Sequence, residues 1–356
     1  MSEASERSFN PEMLRLARDR RAVTQDELAK QSGVTQALIS KLEHGFVAQP
    51  SDDVVERLAA ALGCAVAFLY EPGRRVGFPH FHQRERAKLT AKPLARIGAI
   101  INIQRQHIAK LMRSYEIEAA KPIPQIDLDE AGLTPEKVAE RLRAYWMLPR
   151  GPVPNVVELI EAAGGIVILS RFGTALLPGI SFRSEGLPPL FFMNKEMPGD
   201  RFRLSLAQEL GHIVMHTVPD DDEKMEAEAH RFAAAFMMPA GDIKSYLAPA
   251  KLNALGRVKA YWKLPIKSLI ERTHELKLIT DAQFKSLKNQ YVKAFAAGEP
   301  IDVPLERPSR LREIVEYHRD KLGYSADDLG KLLAVNAADI ETAYFDRRSL
   351  RLVVSN

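Results

Sequence analysis

The chain is poor in the features that staple, anchor or export a protein. It has one cysteine, Cys64, among 356 residues, so no internal disulfide can form and a reducing cytoplasm is expected. No run approaches the ~20 apolar residues needed to cross a bilayer, so no membrane partner is expected. The first ten residues, MSEASERSFN, lack an apolar leader segment, and secretion is not expected. A large excess of one charge is also missing: 50 Lys+Arg face 46 Asp+Glu, a net of +4. What is present is ordinary for a globular protein, with 46% hydrophobic and 27% charged residues. That composition excludes wholesale disorder, and the length suggests two or three domains.

The charge is unevenly placed. Residues 1–70 hold 8 Lys+Arg against 10 Asp+Glu, whereas residues 71–115 hold 10 against 2. A basic stretch beside a DNA reader could lie along phosphates; a solvated charged helix face is the other reading.

Along the chain, short helices separated by turns are expected up to about Tyr70, with Gly33, Gly45 and Gly63 where helices should stop. The breaker Glu71-Pro72-Gly73 precedes a long amphipathic helix over about 87–118, a connector in which Leu94, Ile97, Ile101, Ile108 and Leu111 keep helical spacing. Lys121-Pro122-Ile123-Pro124 interrupts again. Thr134-Pro135-Glu136 has helix-start chemistry. Two strands are predicted, one following Gly164-Gly165 over 166–169 and one over 190–194. Helices are predicted over about 200–216 and 223–238, the second closed by Pro239. Trp146 and Trp262 sit in similar phrases, Tyr145-Trp146-Met147-Leu148-Pro149 and Tyr261-Trp262-Lys263-Leu264-Pro265, and are read as core. The fold class is therefore mainly α with an α+β middle domain.

Residues 24–43 carry a compact set of signals. Thr24 can cap a helix with Glu27 completing a capping box. Leu28 and the small Ala29 face inward, Gly33 permits a tight turn, and Val34 plugs it. Thr35 caps the next helix, which Ile39 and Leu42 anchor. Gln36, Ala37, Ser40 and Lys41 then face outward, where polar side chains at a helix start can reach base edges in the major groove. Gln25 begins the preceding helix, where phosphate contacts are common. Over about residues 10–70 this pattern resembles the Cro/C1-type (XRE) helix-turn-helix family. The resemblance implies a double-stranded DNA operator read by a homodimer, through Gln25, Thr35, Gln36, Ala37, Ser40 and Lys41.

A second resemblance spans about residues 81–298. It is carried by Gly151-Pro152 near Asn155, by Asp200-Arg201-Phe202-Arg203, by the stretch from Gln208-Glu209 to His216, by that from Glu226 to Ala234, and by Met238-Pro239. These residues resemble the ImmA/IrrE family of zinc-peptidase-like regulators in the version that carries an XRE domain. The resemblance implies a zincin-like fold with a His-Glu-x-x-His motif. Two imidazoles at i and i+4 on a helix share one face and can hold one zinc, and the Glu between them acts as base on bound water. Glu209 matches that catalytic base, His212 the second histidine and Glu226 the third ligand. Gln208 stands where the first histidine belongs, and an amide oxygen is a weak zinc ligand. Three outcomes follow: a retired site, weak zinc binding through His212, Glu226 and Gln208, or rescue by His216 or His230.

The C-terminal stretch from Ser325 to Ile340 lays on residues 24–39 without a gap. Ser325 falls on Thr24, Leu329 on Leu28, Gly330 on Ala29, Val335 on Val34 and Ile340 on Ile39. Ser40 and Lys41 become Glu341 and Thr342, and acidic residues there repel phosphate. A helix-turn-helix shape without DNA duty is one reading; a chance match of two hairpins is the other.

The expected layout is a helix-turn-helix bundle at 1–72, a basic connector helix at 73–120, a zincin-like metallopeptidase-like domain at 121–250, and a helical region at 251–356 with a degenerate helix-turn-helix at 322–346. The expected function is a DNA-binding transcriptional regulator, with a toxin–antitoxin or prophage-type locus as one setting. The peptidase-like domain would sense a ligand or bind a protein partner such as a toxin or repressor. The alternatives are an active zinc metallopeptidase that cleaves a regulator, and a toxin-neutralising binding protein.

Overall fold

The structure is a computed structural model and describes residues 8–77, 88–128, 132–217 and 220–344. The start of the expected connector helix and the ends of the N- and C-terminal segments lie outside the described residues.

Two compact units divide the chain, and unit 1 is discontinuous. It joins residues 1–78, 89–116 and 310–356, whereas unit 2 takes 79–88 and 117–309. This differs from four consecutive segments. The helix expected as a connector is part of unit 1, and residues 251–309 belong with unit 2. The reason is hydrophobic: Ala99 and Ile103 of that helix join the same buried cluster as Met13, Leu28, Ile39 and Leu58.

Unit 1 begins with α1 (Pro11–Arg21), α2 (Gln25–Ser32), α3 (Gln36–Glu43), α4 (Asp52–Leu62) and a 3-10 turn (Val66–Tyr70). Local chemistry sets the boundaries as expected. Thr24 caps α2 and closes a capping box with Glu27, and Gly33 ends α2 at φ 69°, a conformation glycine adopts without steric cost. Thr35 caps α3. Leu28, Ile39 and Leu42 are fully buried. The long helix α5 (Ala91–Leu111) packs against α1 with Ile97, Ile101, Ile108 and Leu111 buried. The unit is completed by α14 (Arg310–Asp320), α15 (Ala326–Leu333) and α16 (Ala337–Tyr344). Ala334 ends α15 in the left-handed conformation, so no continuous helix crosses it.

Unit 2 contains α6 (Pro135–Tyr145), α7 (Val156–Ala162), β1 (Ile166–Ser170), β2 (Gly179–Phe182), β3 (Leu190–Asn194), α8 (Gly199–Met215), α9 (Asp222–Met237), α10 (Ala240–Leu247), α11 (Leu252–Trp262), α12 (Ile266–Glu275) and α13 (Asp281–Ala294). The sheet order is β1-β3-β2. β1 runs parallel to β3 with Ile166 opposite Leu190, and β2 runs antiparallel with Gly179 opposite Met193. β1 and β3 were legible in the sequence; β2 was not, because Gly-Ile-Ser-Phe is short and shows no clear alternation. Trp146 and Trp262 are core residues as expected, at 8% and 0% exposure.

The Asp200-Arg201-Phe202-Arg203 phrase acquires a structural reason. Buried Arg203 pairs with Glu306 and donates to the carbonyls of Val153 and Pro154. Glu306 also accepts from the backbone N–H groups of Val156 and Val157, so it caps the first turn of α7. Asp200 accepts from Lys259, whose ammonium also reaches Glu299 at 2.9 Å. Glu299 in turn caps α12 through the N–H groups of Ile266 and Lys267. Burial opposes the charge on Lys259, but the two carboxylates hold its pKa above the ordinary value. Residues 299–306 are thereby tied to the start of α8. At Gly199 an added Cβ would lie 2.2 Å from the Val303 carbonyl oxygen, so only glycine admits this approach.

Candidate functional site

Two constellations stand out, one in each unit. In unit 1, α3 projects from the bundle with Thr35, Gln36, Ala37 and Lys41 exposed and Ser40 half-buried. Its entry is held by a chain of hydrogen bonds. Gln36 Nε2 donates to Gln25 Oε1 at 2.9 Å, and Gln25 Nε2 donates to Glu43 Oε2 at 2.8 Å. Glu43 is buried at 4% exposure and takes the Arg18 guanidinium in a two-point pair. Arg18 also donates to the Val23 carbonyl. Such a bidentate pair fixes geometry as well as charge. The chain ties α1, α2 and α3 together and points the polar start of α3 outward.

Gln25 and Gln36 were legible from register. Arg18 and Glu43 were not, because nothing local marks an arginine 25 positions away as the partner of a glutamate. The loop after α3 was missed too. Phe46 is 80% exposed, and its ring stacks on His44 with centroids 5.9 Å apart.

In unit 2, α8 and α9 bring Gln208, Glu209, His212, His216, Glu226 and Glu228 together. The spacing of four places Gln208 and His212 on one face of α8. Gln208 Nε2 donates to Glu226 Oε2 at 2.9 Å; an ionised carboxylate only accepts, so the nitrogen end of the amide must face it. His212 Nε2 lies 3.4 Å from Glu226 Oε1. The two imidazoles meet at Nδ1, 2.9 Å apart, so one ring donates and the other accepts. His216 Nε2 continues to Glu228 at 3.2 Å. Burial, with His212 beside it, pushes the His216 pKa down to about 3. Glu209 is 1% exposed and accepts from the Ser181 hydroxyl at 2.7 Å. Ser181 lies on β2, the strand that the sequence did not show. His230 is exposed on α9.

The family comparisons agree with this division. Residues 14–69 match a Helix-turn-helix family. Residues 161–274 match the IrrE N-terminal-like domain, peptidase M78. The chain joins an XRE-type reader to an IrrE-like domain. No curated protein matches the chain. The IrrE-like match begins inside α7 and ends inside α12, so it contains the sheet, α8, α9 and the whole Gln208–Glu228 cluster. The helix-turn-helix match covers most of α1, all of α2–α4 and most of the 3-10 turn.

The zincin fold of an IrrE-like domain implies a zinc ion, and the donor chemistry can be tested against it. A catalytic zinc takes three strong protein ligands and keeps one open position. Here His212 and Glu226 are of the right kind, while the third position is a neutral amide whose N–H groups, not its oxygen, are aimed at Glu226. Among the described residues no group of three His, Cys, Asp or Glu is arranged to hold a metal. His216 is turned toward His212 and Glu228. The residues present therefore do not fit a catalytic zinc centre. An N–H donor and a cation make similar use of a carboxylate, and the Gln208 amide bridges α8 to α9 where a metal would have done so.

No helix among the described residues is long and apolar enough to cross a membrane.

Proposed function

We propose that the protein is a cytoplasmic, sequence-specific transcriptional regulator that binds duplex DNA through α3 and uses the IrrE-like domain to sense a ligand or bind a protein partner rather than to cleave peptides. The chain from Gln36 through Gln25 and Glu43 to Arg18 carries this reading. It holds the polar start of α3 in one orientation and costs little reorganisation when a groove arrives. Gln36 supplies an amide suited to adenine, Lys41 a cation for phosphate or guanine, and the small Ala37 allows close approach to a thymine methyl. Gln25 and Thr35 take backbone contacts. A homodimer on a palindromic site provides the second reading helix.

Selection from a random-sequence duplex pool, followed by binding at two salt concentrations, tests the proposal. Gln36→Ala should cost about 1–3 kcal/mol and relax preference at one base pair. Lys41→Ala should lower the salt slope by about one. Enrichment of no sequence, with a salt slope indifferent to Lys41, would end this reading. In the IrrE-like domain zinc is held weakly at best through His212 and Glu226, and Glu209, with its carboxylate engaged by Ser181, serves packing rather than base catalysis.

A further inference from the structure

The last two described helices repeat α2 and α3, and the helix before them shares buried positions with α1. One fixed shift in numbering carries α2 (Gln25–Ser32) onto α15 (Ala326–Leu333) end for end, and the start of α3 (Gln36–Glu43) onto the start of α16 (Ala337–Tyr344). The same shift carries the capping box Thr24/Glu27 onto the capping box Ser325/Asp328. It carries the left-handed Gly33, whose N–H reaches Ala29, onto the left-handed Ala334, whose N–H reaches Gly330. It carries the left-handed Ala22 onto the left-handed Gly323. Buried Met13, Leu14, Ala17, Leu28 and Ile39 fall on buried Ile314, Val315, His318, Leu329 and Ile340. Two helical hairpins meeting by chance share a general shape; they do not share a capping box, two left-handed residues and these five buried positions in one register.

The two copies differ where the first meets solvent. Gln25 and Gln36 become Ala326 and Ala337, and in the sequence Ser40 and Lys41 become Glu341 and Thr342. Four of the polar or close-approach positions of α3 and its approach are changed, Asn336 in the place of Thr35 remains polar and exposed, and Asp327, Asp328 and Asp339 stand exposed nearby. They also differ in what covers the core. The first copy is closed by α4 and the 3-10 turn; among the described residues the second has no counterpart of either, and its α14 and α15 pack on α5. Tyr344 takes the place of Glu43, and its hydroxyl meets His107 Nδ1 of α5 at 2.6 Å. Ala334 joins the buried cluster that holds Ala99, Ile103 and Met13.

We propose that residues 310–344 are a second helix-turn-helix that has given up DNA and instead clamps α5, the helix against which the first copy's α1 is packed. The clamp reaches the reader only after the chain has passed through residues 117–309. A ligand or partner that shifts residue 310 therefore acts on α5 directly. This gives the sensing role of the IrrE-like domain, on which the idea rests only for its biological use, a covalent route to the reader.

Two measurements on the full chain test it. The first is binding to a random-sequence duplex across a salt series. Lys41→Ala should lower affinity several-fold and reduce the slope by about one, while Arg319→Ala and Lys331→Ala leave both unchanged. A reduced slope in either of the latter would mean that the second copy touches DNA and would overturn its proposed loss of reading. The second is amide hydrogen exchange in Leu329→Ala, and in the milder Tyr344→Phe should the first variant fail to fold. Exchange should rise ~10-fold or more across α5 as well as α14–α16. Faster exchange confined to α14–α16, with α5 unchanged, would overturn the clamp whatever the fate of the DNA-binding proposal.

Discussion

The reader and the IrrE-like site are both built from a chain of side-chain hydrogen bonds across helices, and they end in opposite states. In the reader the chain runs outward. Arg18 and Glu43 anchor it inside, and Gln36 at its far end is exposed. In the IrrE-like site the chain runs inward and closes on itself, with Gln208, Glu226, His212, His216 and Glu228 using each other's polar atoms. Reading DNA requires polar groups held still but left uncommitted. Catalysis at zinc requires lone pairs converging on one empty point. The first requirement is met and the second is not. At position 208 the amide donor makes the Glu226 carboxylate a hydrogen-bond partner.

The sharpest break in the comparison is between the two anchoring ion pairs. Arg203 is 1% exposed and Glu306 is capped against α7, whereas Arg18 is 18% exposed. Arg203→Ala strands a buried carboxylate and should cost about 3–5 kcal/mol in urea unfolding of unit 2. Glu43→Ala should cost less, about 1–3 kcal/mol, because Arg18 can reach water. Equal losses would mean that burial does not separate the two sites.

Next comes an attempt to turn the closed site into an open one. Gln208→His restores an imidazole four residues before His212. Elemental analysis should find about one zinc per chain, against little in the parent. A hundredfold excess of zinc over its dissociation constant should stabilise the variant by about 2.7 kcal/mol. A variant as metal-poor as the parent would show that more than residue 208 separates this site from a zinc centre.

A smaller effect concerns acid. Burial, with Lys110 and Arg20 nearby, holds the His107 pKa down at about 3 against an ordinary 6.5. Between those values the unfolded chain takes up a proton that the folded unit 1 refuses. Stability is therefore complete above about pH 6.5 and falls as pH drops toward 3, with a limiting slope near 1.4 kcal/mol per pH unit from this residue. His107→Gln should flatten that part of the stability profile, read from exchange in α5. The smallest effect compares the duplicated caps. Thr24→Ala and Ser325→Ala should each cost about 1 kcal/mol, and similar values in thermal melts would support equal duty in the two copies.

Much of this protein is legible in its sequence. The caps at Thr24, Thr35 and Thr134, the turn at Gly33, the helices carrying Gln208 and Glu226, and two of the three strands follow from local rules. So does the alignment of Ser325 on Thr24. These features depend on neighbours a few residues apart, and caps, left-handed turns and helical periodicity are settled at that range. The candidate sites were legible only as residue types on helix faces.

What the sequence by itself determined is the set of elements and the identity of the odd residue at 208. Tertiary structure alone decided what each element is for. It placed β2 and Ser181 against Glu209, paired Arg18 with Glu43, drew Glu299 and Glu306 back to the start of α8, and returned residues 310–344 to the reader's unit. Each of these joins groups far apart in the chain. Such pairings are chosen by which buried surfaces and charges can satisfy one another at once, and no local pattern encodes that choice.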